Sequence, residues 1–182
     1  MRTNSIARQA ALALVVFAVL LASGLATRPL ALAFPQVVAL HAVLVAFPSA
    51  LCITIAAEKG LRLPWCFAAL AAFAGFLATM SPVMGGAALV PALVAGACSI
   101  AWRGKKNRSM AVGIGYGASY YPATVAILFA SVGTVFAPSV AGLLTMLCAA
   151  LLGAALSVFG ACLGSLAAAR SASKSPLQTK GR

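Results

Sequence analysis

Two residues set the limits of the chemistry this chain can do: Glu58 is its sole acidic side chain and His41 its sole histidine. Paired carboxylates for general acid and base work, a nucleophile triad and a hard-cation cage all need more than these two groups. Catalysis, a bound metal and a resident cofactor are therefore not expected. The five cysteines, Cys52, Cys66, Cys98, Cys148 and Cys162, are odd in number and each lies in an apolar stretch, where a thiolate is costly. With no second ligand near any of them in sequence, they read as small packing residues rather than redox or metal groups. Gly113, Gly115 and Gly117 imitate the glycine density of a phosphate loop, but no strand precedes them and no Lys-Ser or Lys-Thr pair follows. The chain thus has no nucleotide site of its own, and any uphill transport must draw its energy elsewhere.

The elements that position these residues follow from composition. Of the residues, 63% are apolar and 8% charged, and 13 cations against 1 acid give a net charge of +12. A soluble domain carries roughly a quarter charged residues because its surface faces water. Here most of the surface must face lipid. The cations lie in short clusters between long uncharged runs, not on a face interleaved with aromatics, so nucleic acid is not a partner. A run of about 20 apolar residues crosses the hydrocarbon core as a helix. Dividing the chain at charges, prolines and glycines predicts six spans: Gln9 to Thr27, Gln36 to Ala57, Leu63 to Met80, Ala87 to Trp102, Met110 to Val132 and Ser139 to Ala169. Arg28-Pro29 is expected to close the first, and Gly85-Gly86 to mark a turn before the fourth. The fold class is an all-α polytopic membrane bundle over residues 1–170, with a basic, disordered tail over 171–182. Ala31-Leu32-Ala33 resembles a signal-peptidase site, but the uncharged run from Gln9 to Thr27 is long for a signal peptide and reads as an uncleaved span.

Charge placement tests that count independently, because cytoplasmic loops collect Lys and Arg. With the N-terminus inside, the inner segments hold Arg2, Arg8, Lys59, Arg62, Arg103, Lys105, Lys106, Arg108, Arg170, Lys174, Lys180 and Arg182, and the outer loops hold Arg28 alone. Both termini are then cytoplasmic, in the plasma membrane. Trp65 and Trp102 fall at the inner interface. Glu58 sits beside Lys59 at the same boundary and reads as half of an interfacial ion pair, which leaves no intramembrane carboxylate for ion-coupled transport.

Polar groups in the outer half are costly and mark where a ligand would sit. They are Arg28, Gln36, His41, Thr79, Ser81, Ser131 and Thr134, with Tyr120 and Tyr121 deeper in the fifth span. One Arg and one His without an acid suit an anionic or neutral polar solute. Each has a plainer reading: Arg28 snorkels, His41 bonds a carbonyl, the tyrosines are core, and Ser and Thr back-bond to helix carbonyls. In lipid, helices associate through small side chains that let backbones touch. The first span carries Ala18, Ala22 and Ala26 at intervals of four, with Ala7 and Ala11 nearer its inner end. The sixth carries Ala149, Gly153, Ser157, Ala161, Ser165 and Ala169, with Gly160 and Gly164 alongside. These rows suit a close helical neighbour, in this chain or in another.

The Ala-spaced first span, the stretch Ala95 to Gly117 (AGACSIAWRGKKNRSMAVGIGYG) and Leu152 to Arg170 (LGAALSVFGACLGSLAAAR) together resemble the substrate-binding S components of energy-coupling-factor (ECF) transporters, in particular the small Trep_Strep-like six-helix group. The resemblance implies capture of a vitamin-like or other micronutrient solute and delivery to partners: a membrane coupling subunit and two cytoplasmic ATPase subunits. It also implies docking through the Ala-spaced surface of Ala7, Ala11, Ala18, Ala22 and Ala26. A Lys-His-Phe-rich continuation of the last helix, often present in the family, is absent here, and the family's fifth outer loop is often longer than Gly133 to Pro138. Two other readings stand beside it: a self-contained channel or exporter, and a non-transporting membrane assembly protein.

Overall fold

The computed structural model describes residues 2–33, 40–132 and 140–173, and these form six helices. They are α1 (Arg2–Ala33), α2 (Leu40–Glu58), α3 (Leu63–Met80), α4 (Pro82–Ala101), α5 (Arg108–Val132) and α6 (Val140–Ser173). No strand occurs among the described residues. Five of the six, α1 to α4 and α6, are long and apolar enough to cross a membrane.

Several boundaries differ from the sequence expectation, two of them for a plain local reason. Helix α1 does not stop at Arg28-Pro29 but continues through it to Ala33. A proline removes one hydrogen bond, and an apolar helix can carry that local loss. Helix α4 begins at Pro82, so Gly85 and Gly86 lie inside its first turns instead of making a turn before it. Proline at the first helical position has a fitting φ and no N–H to waste, and the extended Ser81 ends α3 and starts α4. Gly85 is a packing glycine: a Cβ there would stand 2.5 Å from Ala78 Cβ, so its absence lets α4 fold back along α3. Helix α6 runs to Ser173, so the first residues of the expected tail are helical.

Helices α1, α3, α4, α5 and α2 pack in that order into a closed ring, and α6 lies outside it against α2 and α5. Leu20 and Val16 of α1, Ile53 of α2, Leu70 and Phe73 of α3 and Tyr116 of α5 fill the interior. Glycines set the register where α2, α5 and α6 meet. Gly113 and Gly117 of α5 bring it against Ala50 and Ala46 of α2, so these two helices run antiparallel. Gly160 and Gly164 of α6 lie on the Phe47 and Leu51 carbonyls, so α6 runs parallel to α2.

This register collects the cations at one end of the bundle. Gln9 of α1 accepts from the Arg62 N–H (2.8 Å) and donates to the Gly60 carbonyl (2.8 Å), and Arg8 donates to the Lys59 carbonyl (2.7 Å). The turn between α2 and α3 needs the left-handed backbone of Gly60 (φ +89°). The α4–α5 connection lies at the same end, where Arg108 clamps Ser99 (Nε to carbonyl, 3.0 Å) and Lys105 covers the Trp102 ring at 5.3 Å.

Candidate functional site

Helix α5 places its tyrosines by spacing. Tyr116 and Tyr120, one turn apart, share the face toward the ring interior, with centroids 5.8 Å apart. Tyr121 follows the Gly113–Gly117 row instead and turns toward α6, its Cβ 3.9 Å from where a Gly153 Cβ would be. The hydroxyls of Tyr116 and Tyr121, and Thr54 Oγ1 on α2, are buried with no hydrogen-bond partner. Each such orphan costs about 1–3 kcal/mol relative to a paired group. The close approach of α5 at Gly113 and of α6 at Gly164 shuts Thr54 away from solvent.

Each buried hydroxyl can bond a water or a polar atom of a neutral solute, and Tyr116 and Tyr121 present theirs on different sides of α5. Among the described residues no group of His, Cys, Asp or Glu could hold a metal ion, and all five cysteines are free thiols. Sequence reasoning picked out Tyr120 and Tyr121 but missed Tyr116 and Thr54. The repeat of tyrosine at i and i+4 was the available signal for Tyr116; Thr54 had none, because its neighbours come from other helices.

The remaining predicted site residues are distributed as follows. His41 is half-buried in the first turn of α2. Thr79 is exposed and donates to the Phe76 carbonyl (2.6 Å), and Ser81 is the single residue joining α3 to α4. Ser131 likewise donates to the Ile127 carbonyl (2.7 Å). Arg28 lies on the α1 backbone, its side chain outside what the structure describes, and Gln36 and Thr134 are outside the described residues. No hydrogen bond joins His41, Thr79, Ser81 and Tyr120 to one another among the described residues. Of the expected set, Tyr120 is buried on the ring-facing side of α5, beside Tyr116.

The two small-residue rows have opposite fates. On α6, Ala149, Gly153, Ser157 and Ala161 are buried, so this row is used within the chain, against α2 and α5. On α1, Ala7, Ala11, Ala18, Ala22 and Ala26 are all exposed. Helix α3 adds a second outward small face, Ala68, Ala72, Gly75 and Ala78. By contrast α4 and α6 turn bulky groups outward, including Leu89, Leu93 and Ile100 on the first and Leu144, Leu151 and Phe159 on the second.

The described residues form an all-helical bundle with bulky apolar side chains turned outward on α4 and α6 and a cluster of cations at one end. No family model matches the chain, and neither a curated protein nor a solved structure does.

Proposed function

We propose that the chain is a six-span membrane protein with both termini in the cytosol that captures a small solute and hands it to a separate ATP-driven coupling module, as an ECF S component does. The observation that carries this reading is the bare alanine row of α1. A surface that only faces lipid gains nothing from small side chains, whereas a helical partner gains close backbone contact. The α6 row supports the same logic, because its small residues are spent on closing the chain on itself.

The tyrosine layer supports capture rather than conduction. Tyr116, Phe73, Leu70 and Leu20 close the ring interior, so one copy offers no continuous polar path. The unpartnered Tyr116 hydroxyl on the ring-facing side of α5 supplies a donor and an acceptor in an apolar wall, as a neutral, vitamin-like solute needs. The outer end, with His41, is the entry side, and the basic end faces the cytosol and the coupling partners.

The test is co-purification. With a coupling subunit and two ATPase subunits supplied, Ala18→Leu and Ala22→Leu should each reduce recovery of the complex at least about tenfold, the scale of one lost close helix contact. Solute binding by the chain alone should be unchanged. The protein alone should show no ATPase activity and no solute leak in liposomes. Full recovery of the complex with both leucines present, or rapid leakage from liposomes, would refute the reading.

A further inference from the structure

Helix α2 packs against α1, α5 and α6, but α1 and α6 have little or no contact with each other. A strip of α2 between them is therefore left open. Its residues identify themselves by exposure: Leu44, Pro48, Leu51 and Ile55 are half-buried, and their spacing of four, three and four puts them on one stripe. The stripe ends at Glu58, which is exposed.

At that end the trough opens into a groove of about 390 Å³ lined by Arg8 of α1, Glu58 and Lys59 at the end of α2, and Ser165, Ala168 and Ser171 of α6. The charges in it are unusual for this chain. Glu58, the sole acid, has no hydrogen bond or ion pair with any described residue; the expected pairing with Lys59 is not formed. Arg8 spends one N–H on the Lys59 carbonyl and keeps the rest of its fork, and the Lys59 ammonium donates to no described residue. One carboxylate and two cations thus share a wet groove at the mouth of an apolar trough.

We propose that this groove holds the headgroup of a phosphatidylethanolamine, the phosphate on Arg8 and Lys59 and the ammonium on Glu58, with one acyl chain along Leu44, Pro48, Leu51 and Ile55. A purely anionic headgroup satisfies the cations and leaves Glu58 facing negative charge. A choline headgroup presents methyl groups, with no N–H for the carboxylate to accept. A primary ammonium close to a phosphate satisfies both signs with charge-assisted hydrogen bonds. The proposal rests on the bilayer-embedded reading and not on solute capture.

The test uses full-length detergent-purified protein titrated with phosphatidylethanolamine, phosphatidylglycerol or phosphatidylcholine and read by native mass spectrometry. Phosphatidylethanolamine should be retained about threefold to fivefold over the other two, the scale of one interfacial ion pair. Glu58→Gln should erase that preference while leaving phosphatidylglycerol retention equal or higher. Lys59→Gln should weaken both phosphatidylethanolamine and phosphatidylglycerol. Water-soluble glycerophosphoethanolamine should compete poorly, because it lacks the chain that fills the trough. Equal retention of the three lipids, a phosphatidylglycerol preference in the unaltered protein, or competition by the soluble compound at matching concentration would each overturn the assignment. Liposome flotation separates this outcome from failure of the bilayer reading: a protein that does not float overturns both, whereas one that floats without lipid preference overturns the headgroup site alone.

Discussion

Gly160 gives the sharpest test of how α6 is held. A methyl group there would come 2.5 Å from the Phe47 carbonyl oxygen and 3.3 Å from the Leu51 nitrogen, both backbone atoms of α2 that no rotamer change can move aside. Ordinary contact begins at 3.4 Å, so Gly160→Ala forces α6 and α2 apart by about 0.9 Å at that crossing. A gap of that size forfeits about a quarter to a half of the dispersion energy of the facing atoms, and overpacked sites lose about 1–3 kcal/mol. Alanine also gains about 0.5–1 kcal/mol over glycine in any helix, which would blur a single measurement. Gly75 of α3 supplies the control, since a Cβ there meets nothing within 4 Å. Both substitutions share the propensity gain, so the difference between them isolates the contact and should be about 1–3 kcal/mol, with Gly75→Ala the more stable. The measurement is unfolding in dodecylmaltoside by rising SDS mole fraction, followed by circular dichroism. Equal midpoints for the two variants would refute the α2–α6 packing described above.

Gln9→Ala removes two hydrogen bonds from the turn between α2 and α3 and should cost about 1–3 kcal/mol, with faster amide exchange at Arg62 as the local sign. Tyr116→Phe deletes an unpartnered hydroxyl and should leave stability unchanged or raise it by about 1 kcal/mol, while lowering solute affinity about tenfold. Loss of stability without loss of binding would take Tyr116 out of the solute site. A cysteine placed at Lys105 should react with a membrane-impermeant maleimide only after the cell is opened. Labelling in intact cells would reverse the orientation.

The helices were legible because uninterrupted apolar runs of membrane length have few other solutions, and the basic clusters separated them. What sequence could not give was which residues meet. Paired glycines break isolated helices, so Gly85-Gly86 reads as a turn in sequence; only the Ala78 backbone beside Gly85 explains why they sit inside a helix. Gln9 looked like the start of a span, yet it is the side chain that holds residues 60 and 62 in place. The α1 and α6 rows look alike at intervals of four, and their opposite exposures come from neighbours that no local pattern encodes. Thr54 is a candidate solely because α5 and α6 present glycines to it.

Helix α5 shows why the span count and the packing must be argued together. It is the one helix too polar to qualify as a span on apolarity, and it carries Gly113, Gly115, Gly117, Ser119 and three tyrosines. It also packs against α2, α4 and α6, with most of residues 112–123 buried or half-buried. Among the five qualifying helices the most apolar is α1, and it is the least buried. A soluble bundle sorts its helices the other way, putting apolar surface inside and polar surface outside. With apolar surface turned outward and hydroxyls and glycines enclosed, the ordering supports a bilayer as the medium. It also accounts for a helix that falls short of the apolarity of a span: α5 meets its neighbours before it meets lipid, so its polar groups are judged by the protein around them.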